Sequence, residues 1–252
     1  MHAPVAPPIP TKLLLQAYRS GVFPMADDRE DSEVFWVEPR ERAILPLDGF
    51  HASRSLLKVI KQDRFTVTCD AAFAEVIRTC AAPRPDQPTS WISRRIEASY
   101  NALFAAGHAH SVECWRDGAL VGGLYGVAFD QVFCGESMYS HADNASKVAL
   151  AWLVAAMRRA GYRLLDCQFM TGHLGSLGAV PLPQADYMAK LAEARGNPRC
   201  SIPQAIAAFQ AEGAAGEGVA AGRAGSSASA SPSAGAASSP GKLIAQSLTQ
   251  TS

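Results

Sequence analysis

The chain has 252 residues, 48% of them hydrophobic, with 23 Lys+Arg balancing 23 Asp+Glu. That length holds one large domain or two small ones around a sizeable core, and the balanced charge singles out no partner. No run approaches 18 apolar residues, and Met1 to Pro10 has no basic region leading into an apolar one, so neither a membrane-spanning helix nor a signal peptide is expected.

Thr11 to Tyr18 reads as a short helix capped by Thr11, with Gly21 beyond its end. Phe35-Trp36-Val37 and Ala43-Ile44-Leu45 read as short strands, and a basic helix follows from about Ser53 to Gln62. Phe65 to Cys69 alternates as a strand, Asp70 to Cys80 reads as a helix capped by Asp70, and Pro83 to Pro88 breaks the chain. Arg94 to Ala106 is a further helix ended by Gly107. His110 to Arg116 and Leu120 to Phe129 flank Asp117-Gly118, the signature of a type I′ hairpin. Gln131 to Tyr139 continues the meander, and Asp143 or Asn144 caps a long helix, Ala145 to Ala160, ended by Gly161. Arg163 to Phe169 returns as a fourth strand, and Gln184 to Arg195 is the last clear helix. From about Ala211 the chain is Ala, Gly and Ser, almost without large apolar residues until Leu243, a composition that predicts a disordered tail. Three meandering strands, a helix and a returning strand make an α+β layer with a mixed sheet. That is the order seen in N-acetyltransferase-type (GNAT-type) acyl-transfer folds, an analogy by itself.

The six cysteines, Cys69, Cys80, Cys114, Cys134, Cys167 and Cys200, show no CxxC spacing. Buried free thiols in a reducing cytosol are expected, with no metal site. The histidines form no set, and no nucleophile elbow or HExxH motif is present. His173-Leu-Gly-Ser-Leu-Gly lacks the Lys-Ser/Thr of a phosphate loop.

Polar residues among the apolar strands mark the chemistry, since buried polar groups are costly unless partnered. Period-2 alternation puts Asp166 and Gln168 on one strand face. The carboxylate can accept from the Gln amide and leave its carbonyl oxygen to hold an amine; a strand-end pair that caps neighbouring helices is the alternative. Glu136 and Met138 share a face of the third strand, where Gly135 suggests a close ligand or backbone; a lone strand Glu is otherwise a surface residue. Gly122, Gly123 and Gly126 call for a bulge or a flat wall. Arg54, Lys58 and Lys61 align on one helix face with Arg64 just beyond, suiting either a phosphate backbone or solvent. Trp36, Trp91 and Tyr100 are placed to stack a base or to fill a core.

Ordered motifs then give a resemblance. Tyr18-x-x-Gly21-x-Phe23-Pro24-Met25, Arg42-Ala-Ile-Leu-Pro-Leu, His51-x-Ser53-Arg54-Ser55, Trp91-Ile92, Phe133-Cys-Gly-Glu-Ser-Met, Asn144-Ala-Ser-Lys147, Asp166-Cys-Gln168 and His173-Leu-x-Ser176-Leu-Gly-Ala179 resemble the leucyl/phenylalanyl-tRNA–protein transferase family from about Leu13 to Leu191. The resemblance implies an aminoacyltransferase that moves Leu or Phe, and less readily Met, from aminoacyl-tRNA to N-terminal Arg or Lys of proteins. This marks them for N-end-rule degradation. It implies a cytoplasmic monomer without cofactor or metal, with a small N-terminal domain (1–62) and a GNAT-type catalytic domain (63–210); the disordered low-complexity tail (211–252) is not part of the family pattern.

By the same likeness, Gln168 holds the attacking amine and Asp166 orients and polarises Gln168. Glu136 lies beside the aminoacyl-adenosine. Leu124, Phe133, Met138, Leu150, Leu153, Met157 and Leu165 shape an apolar pocket. Trp36 and Trp91 contact the terminal adenine, with Tyr100 also on the substrate. Arg54, Lys58, Lys61 and Arg64 meet the tRNA acceptor stem. Phe35-Trp36-Val37-Glu38-Pro39 departs from the two tryptophans and Ser-Pro of many members, and Leu124 stands where some have Met. An acyl-CoA N-acetyltransferase would need an Arg/Gln-x-x-Gly-x-Gly/Ala loop where this chain has His141-Ala-Asp-Asn-Ala-Ser-Lys. A non-catalytic RNA-binding module would leave Asp166, Gln168 and Glu136 without a role.

Overall fold

The computed structural model describes residues 6–83, 88–221 and 238–250. Helix α1 (Thr11–Arg19) buries Leu14, Leu15 and Tyr18; Pro10, not Thr11, occupies its cap position. A hairpin of β1 (Phe23–Met25) and β2 (Phe35–Val37) sets Pro24 opposite Trp36. After β3 (Glu41–Ile44) and a 3₁₀ turn at Leu47–Gly49 comes α2 (Arg54–Lys61), capped by the Ser53 hydroxyl, which accepts from Leu56 N at 3.2 Å.

Strand β4 (Thr66–Cys69) and α3 (Phe73–Cys80) follow. Asp70 does not cap α3, as the sequence predicted. It takes a left-handed φ of 60° and accepts from Ser111 N at 2.9 Å, tying its loop to the neighbouring strand. The Pro83–Pro88 break lies largely outside the described residues.

Helix α4 (Arg94–Ala105) leads into the meander β5 (Ala109–Arg116), β6 (Ala119–Phe129) and β7 (Val132–Ser140). Asp117 and Gly118, both at positive φ, make the expected turn. Then come α5 (Ala145–Ala160), β8 (Leu164–Gln168), α6 (Gly172–Ser176), β9 (Val180–Pro183), α7 (Gln184–Glu193), α8 (Ile202–Ala221) and α9 (Pro240–Thr249). Asn144 holds the α5 cap position in a left-handed conformation with no side-chain cap bond.

The main sheet runs β4-β5-β6-β7-β8-β3-β9. Every neighbouring pair is antiparallel except β7 and β8, which are parallel. The fold is therefore α+β around a mixed seven-stranded sheet. Residues 41–61 belong to this layer rather than to a separate N-terminal unit. Strand β3 pairs inside the sheet and α2 packs on α5. One core lies under α2, α5, α8 and α9, and another under α1, α3, α4 and α7. Leu164 and Leu165 fall in opposite cores, as strand alternation requires.

The expected disordered tail is a further correction. Helix α8 runs on to Ala221, and α9 packs on α2, α5 and α8 with Ile244 and Ala245 buried; residues 222–237 lie outside the described residues. Composition missed this because a short apolar group, Leu243, Ile244 and Leu248, is enough to join the core where Gly241 allows close approach. A Cβ on Gly241 would lie 1.9 Å from the Ile60 carbonyl oxygen, and Gly241 N donates to Asp63 Oδ1 at 2.8 Å.

Candidate active site

The parallel pairing of β7 and β8 lasts only from Val132 to Cys134 against Leu164 to Asp166. On its other edge β8 pairs with β3, Asp166 opposite Ile44 and Gln168 opposite Ala43, while past Cys134 β7 stays with β6 alone. The diverging strands open a cavity of about 360 Å³. Leu124, Met138, Leu150, Leu153 and Leu165 give it apolar walls, Trp91 lines it too, and Glu136 and Gln168 put polar groups into it.

Glu136 sits at an irregularity in the ladder: Tyr125 pairs with Ser137 and Gly126 with Gly135, leaving Glu136 as the extra residue. A Cβ at Gly126 would lie 2.2 Å from Cys134 O, so only glycine fits beside this bulge. The bulge breaks the face that Glu136 and Met138 were expected to share. Met138 packs against the α5-side core, while Glu136 meets tyrosines of the opposite layer. Tyr18 OH donates to Glu136 Oε1 at 2.7 Å, Tyr100 OH donates to Oε2 at 3.1 Å, and the two hydroxyls also contact each other. Burial raises the Glu136 carboxyl to about 7, opposed by Tyr18, Gln168 and Tyr100 and assisted by the Asp166 charge.

Asp166 is fully buried and does not line the cavity. Arg42, fully buried on β3, grips it side-on: Nε donates to Oδ1 at 2.9 Å and Nη2 to Oδ2 at 2.5 Å. Tyr187 OH donates to Oδ2 at 3.0 Å, and the backbone N–H of Gln168 donates to Oδ1 at 2.8 Å. Two donors on each oxygen use the capacity of a carboxylate. Asp166 therefore holds the Gln168 main chain, not its amide as alternation suggested. The Arg42 guanidinium lies 4.6 Å from the ring centroids of both Phe23 and Tyr187, and Nη1 donates to Gly21 O at 3.0 Å. Burial works against its charge, but Asp166 outweighs burial and raises its proton affinity.

Gln168 has φ +63°, which ends the strand alternation. Its side chain is near enough to Glu136 to favour the ionised carboxylate, yet its buried Nε2 has no partner at hydrogen-bonding geometry. Phe133 and Met157, predicted as pocket walls, lie in the α5-side core and do not line the cavity; nor does Tyr100, whose hydroxyl bonds Glu136. Trp36 is 41% exposed on β2, away from the lining. Arg54, Lys58, Lys61 and Arg64 are exposed on and just beyond α2. The loop before α2 is tied to the cavity rim, His51 N donating to Leu177 O at 2.8 Å just after α6, whose Leu174 lines the cavity. Gly122 and Gly123 pack against Ala145 and the Val112 carbonyl, not against the cavity. Sequence reasoning gave no role to Tyr18, Arg42 or Tyr187. Tyr18 and Arg42 stand in the family-like motifs, but their partners are 118 and 124 residues away.

A family model described as leucyl/phenylalanyl-tRNA protein transferase matches residues 44–192, and one for the N-terminal domain of the same family matches residues 9–40. The chain belongs to this family. A leucyl/phenylalanyl-tRNA–protein transferase of Novosphingobium aromaticivorans is 57% identical over 97% of each chain. One from Rhizorhabdus wittichii is 60% identical over 73% of this chain and 74% of its own. Among solved structures, L-PGS from Bacillus licheniformis aligns over 66% of this chain and 55% of its own, at TM-score 0.34 and 13% identity, too weak a likeness to carry an argument. As a leucyl/phenylalanyl-tRNA–protein transferase family member, this chain is an aminoacyltransferase with aminoacyl-tRNA and protein substrates. Among its described residues no helix is long and apolar enough to cross a membrane.

Proposed function

We propose that this enzyme transfers Leu or Phe, and less readily Met, from aminoacyl-tRNA to the α-amine of proteins beginning with Arg or Lys. The products are marked for N-end-rule degradation, and the enzyme works as a cytoplasmic monomer. The observation that carries the reading is the largely apolar cavity whose lining includes Gln168 and Glu136. Its leucine and methionine walls suit a flexible or flat apolar side chain, and stiff β-branched residues fit poorly. The divergence of a parallel strand pair at the cavity also supports a GNAT-type catalytic layer.

In this reading the free amine of the acceptor donates to the Gln168 carbonyl and attacks the ester carbonyl at the tRNA 3′ end. The C–N bond forms, the ester C–O bond breaks, and the ribose hydroxyl leaves with the proton. The unpartnered Gln168 Nε2 gains an acceptor in the donor's carbonyl oxygen. Arg42 neutralises Asp166, so Glu136 is the carboxylate left to face an ammonium group in the cavity. The ester is already activated, and positioning supplies much of the rate. Trp91 borders the adenine, and Arg54, Lys58, Lys61 and Arg64 follow the acceptor-stem backbone without reading sequence.

The test is transfer of labelled Leu from charged tRNA to peptides with N-terminal Arg, Lys or Ala. Transfer to the first two is expected. Folded enzyme that transfers to none of them ends this reading.

A further inference from the structure

We propose that Arg42 and Tyr187 are positioning residues for the transfer: acting through Asp166, they set the left-handed turn that carries the Gln168 amide into the cavity. The inference rests on the role given to Gln168 above. In a regular strand, consecutive side chains point to opposite faces, yet Cys167, Gln168 and Phe169 all line the cavity. What breaks the alternation is φ +63° at Gln168, a conformation that glycine, Asn and Asp adopt readily and Gln does not.

Something must hold that turn, and the Asp166 Oδ1 bond to Gln168 N is the local candidate. A bare aspartate would swing away. Here both carboxylate oxygens are fixed from the far side, by the Arg42 fork and by Tyr187 OH. Arg42 is fixed in turn, lying against the Phe23 and Tyr187 rings and bonding Gly21 O. The line from the β1 hairpin through Arg42 and Asp166 thus ends at the Gln168 backbone. None of these groups lines the cavity. Their effect falls on the reaction step and not on binding the tRNA.

Tyr187→Phe tests this with little risk to folding, because it keeps the ring over Arg42. It is expected to lower kcat about tenfold, the worth of one hydrogen bond to a charged group, with KM for Leu-tRNA within about twofold of wild type. Arg42→Lys, which keeps the charge and loses the fork, is expected to act in the same sense. In a Gln168→Ala background Tyr187→Phe should have no further effect, since there is no amide left to aim. Losses that multiply in the double variant, or an unchanged kcat in Tyr187→Phe, overturn the inference. A purely structural tyrosine would show either multiplied losses or a lowered Tm alone. Wild-type transfer by Gln168→Ala would instead overturn the reading of the site beneath it. Should Gln168→Ala leave no measurable transfer, the backbone amide resonance of Gln168 decides. It should shift in Tyr187→Phe and Arg42→Lys, and an unmoved resonance overturns the proposal.

Discussion

Two buried carboxylates, Glu136 in the cavity lining and Asp166 behind it, differ in kind in their surroundings. Asp166 is surrounded by a guanidinium, a phenol and a backbone amide, and both oxygens are fully engaged. Glu136, on a bulge one strand away, has two tyrosine hydroxyls and no cation. A buried carboxylate gripped by Arg is fixed in place; burial without a cation instead raises the Glu136 carboxyl to about 7. The first arrangement suits a structural anchor, and the second suits a group that meets changing charge in the cavity.

The comparison breaks most visibly at Arg42. Arg42→Met leaves Asp166 buried without its cation and should cost about 3–5 kcal/mol of unfolding free energy in denaturant titrations at pH 7. Adding Asp166→Leu should recover most of that loss. A single variant as stable as wild type would mean that Arg42 is not the counter-ion.

The next largest effect lies in the pH dependence of Glu136. Its carboxyl is raised from 4.5 to about 7, so the folded state binds the extra proton between those values. The stabilisation is complete below pH 4.5 and is lost as pH rises through about 7, a change of roughly 3 kcal/mol. Glu136→Gln should flatten this limb of the stability profile; an identical slope in both proteins would remove Glu136 as its source. Tyr100→Phe sharpens the contrast on a smaller scale. It should cost about 1.5 kcal/mol at pH 8, where the carboxylate is charged, and less at pH 5, in paired melts.

The smallest effect belongs outside both nests. Arg54→Ala and Lys58→Ala on exposed α2 should each change stability by less than about 0.5 kcal/mol. Each should also reduce the salt dependence of tRNA binding by about one unit of slope, read by filter binding across salt concentrations. An unchanged slope returns this face to solvent.

Much of this was legible along the chain because it is local. The Asp117-Gly118 turn and the end of α5 at Gly161 each depend on residues within a few positions of one another. Asp166, Gln168 and Glu136 stood out because polar groups in apolar strands need partners. The partners themselves were not local. Arg42 reaches Asp166 across 124 residues and Tyr18 reaches Glu136 across 118, through a sheet order that inserts β3 between β8 and β9. Alternation failed at two points, the bulge at Glu136 and the left-handed turn at Gln168, where one extra residue and one positive φ reset which face the following side chains take. Composition likewise dismissed the C-terminal segment, although Leu243, Ile244 and Leu248 join the core and Gly241 lets α9 approach α2 closely. Periodicity and turn chemistry thus settle the elements and flag the candidate site residues. Long-range pairing settles which way those residues point and which groups face them, since both depend on contacts that chain order does not encode.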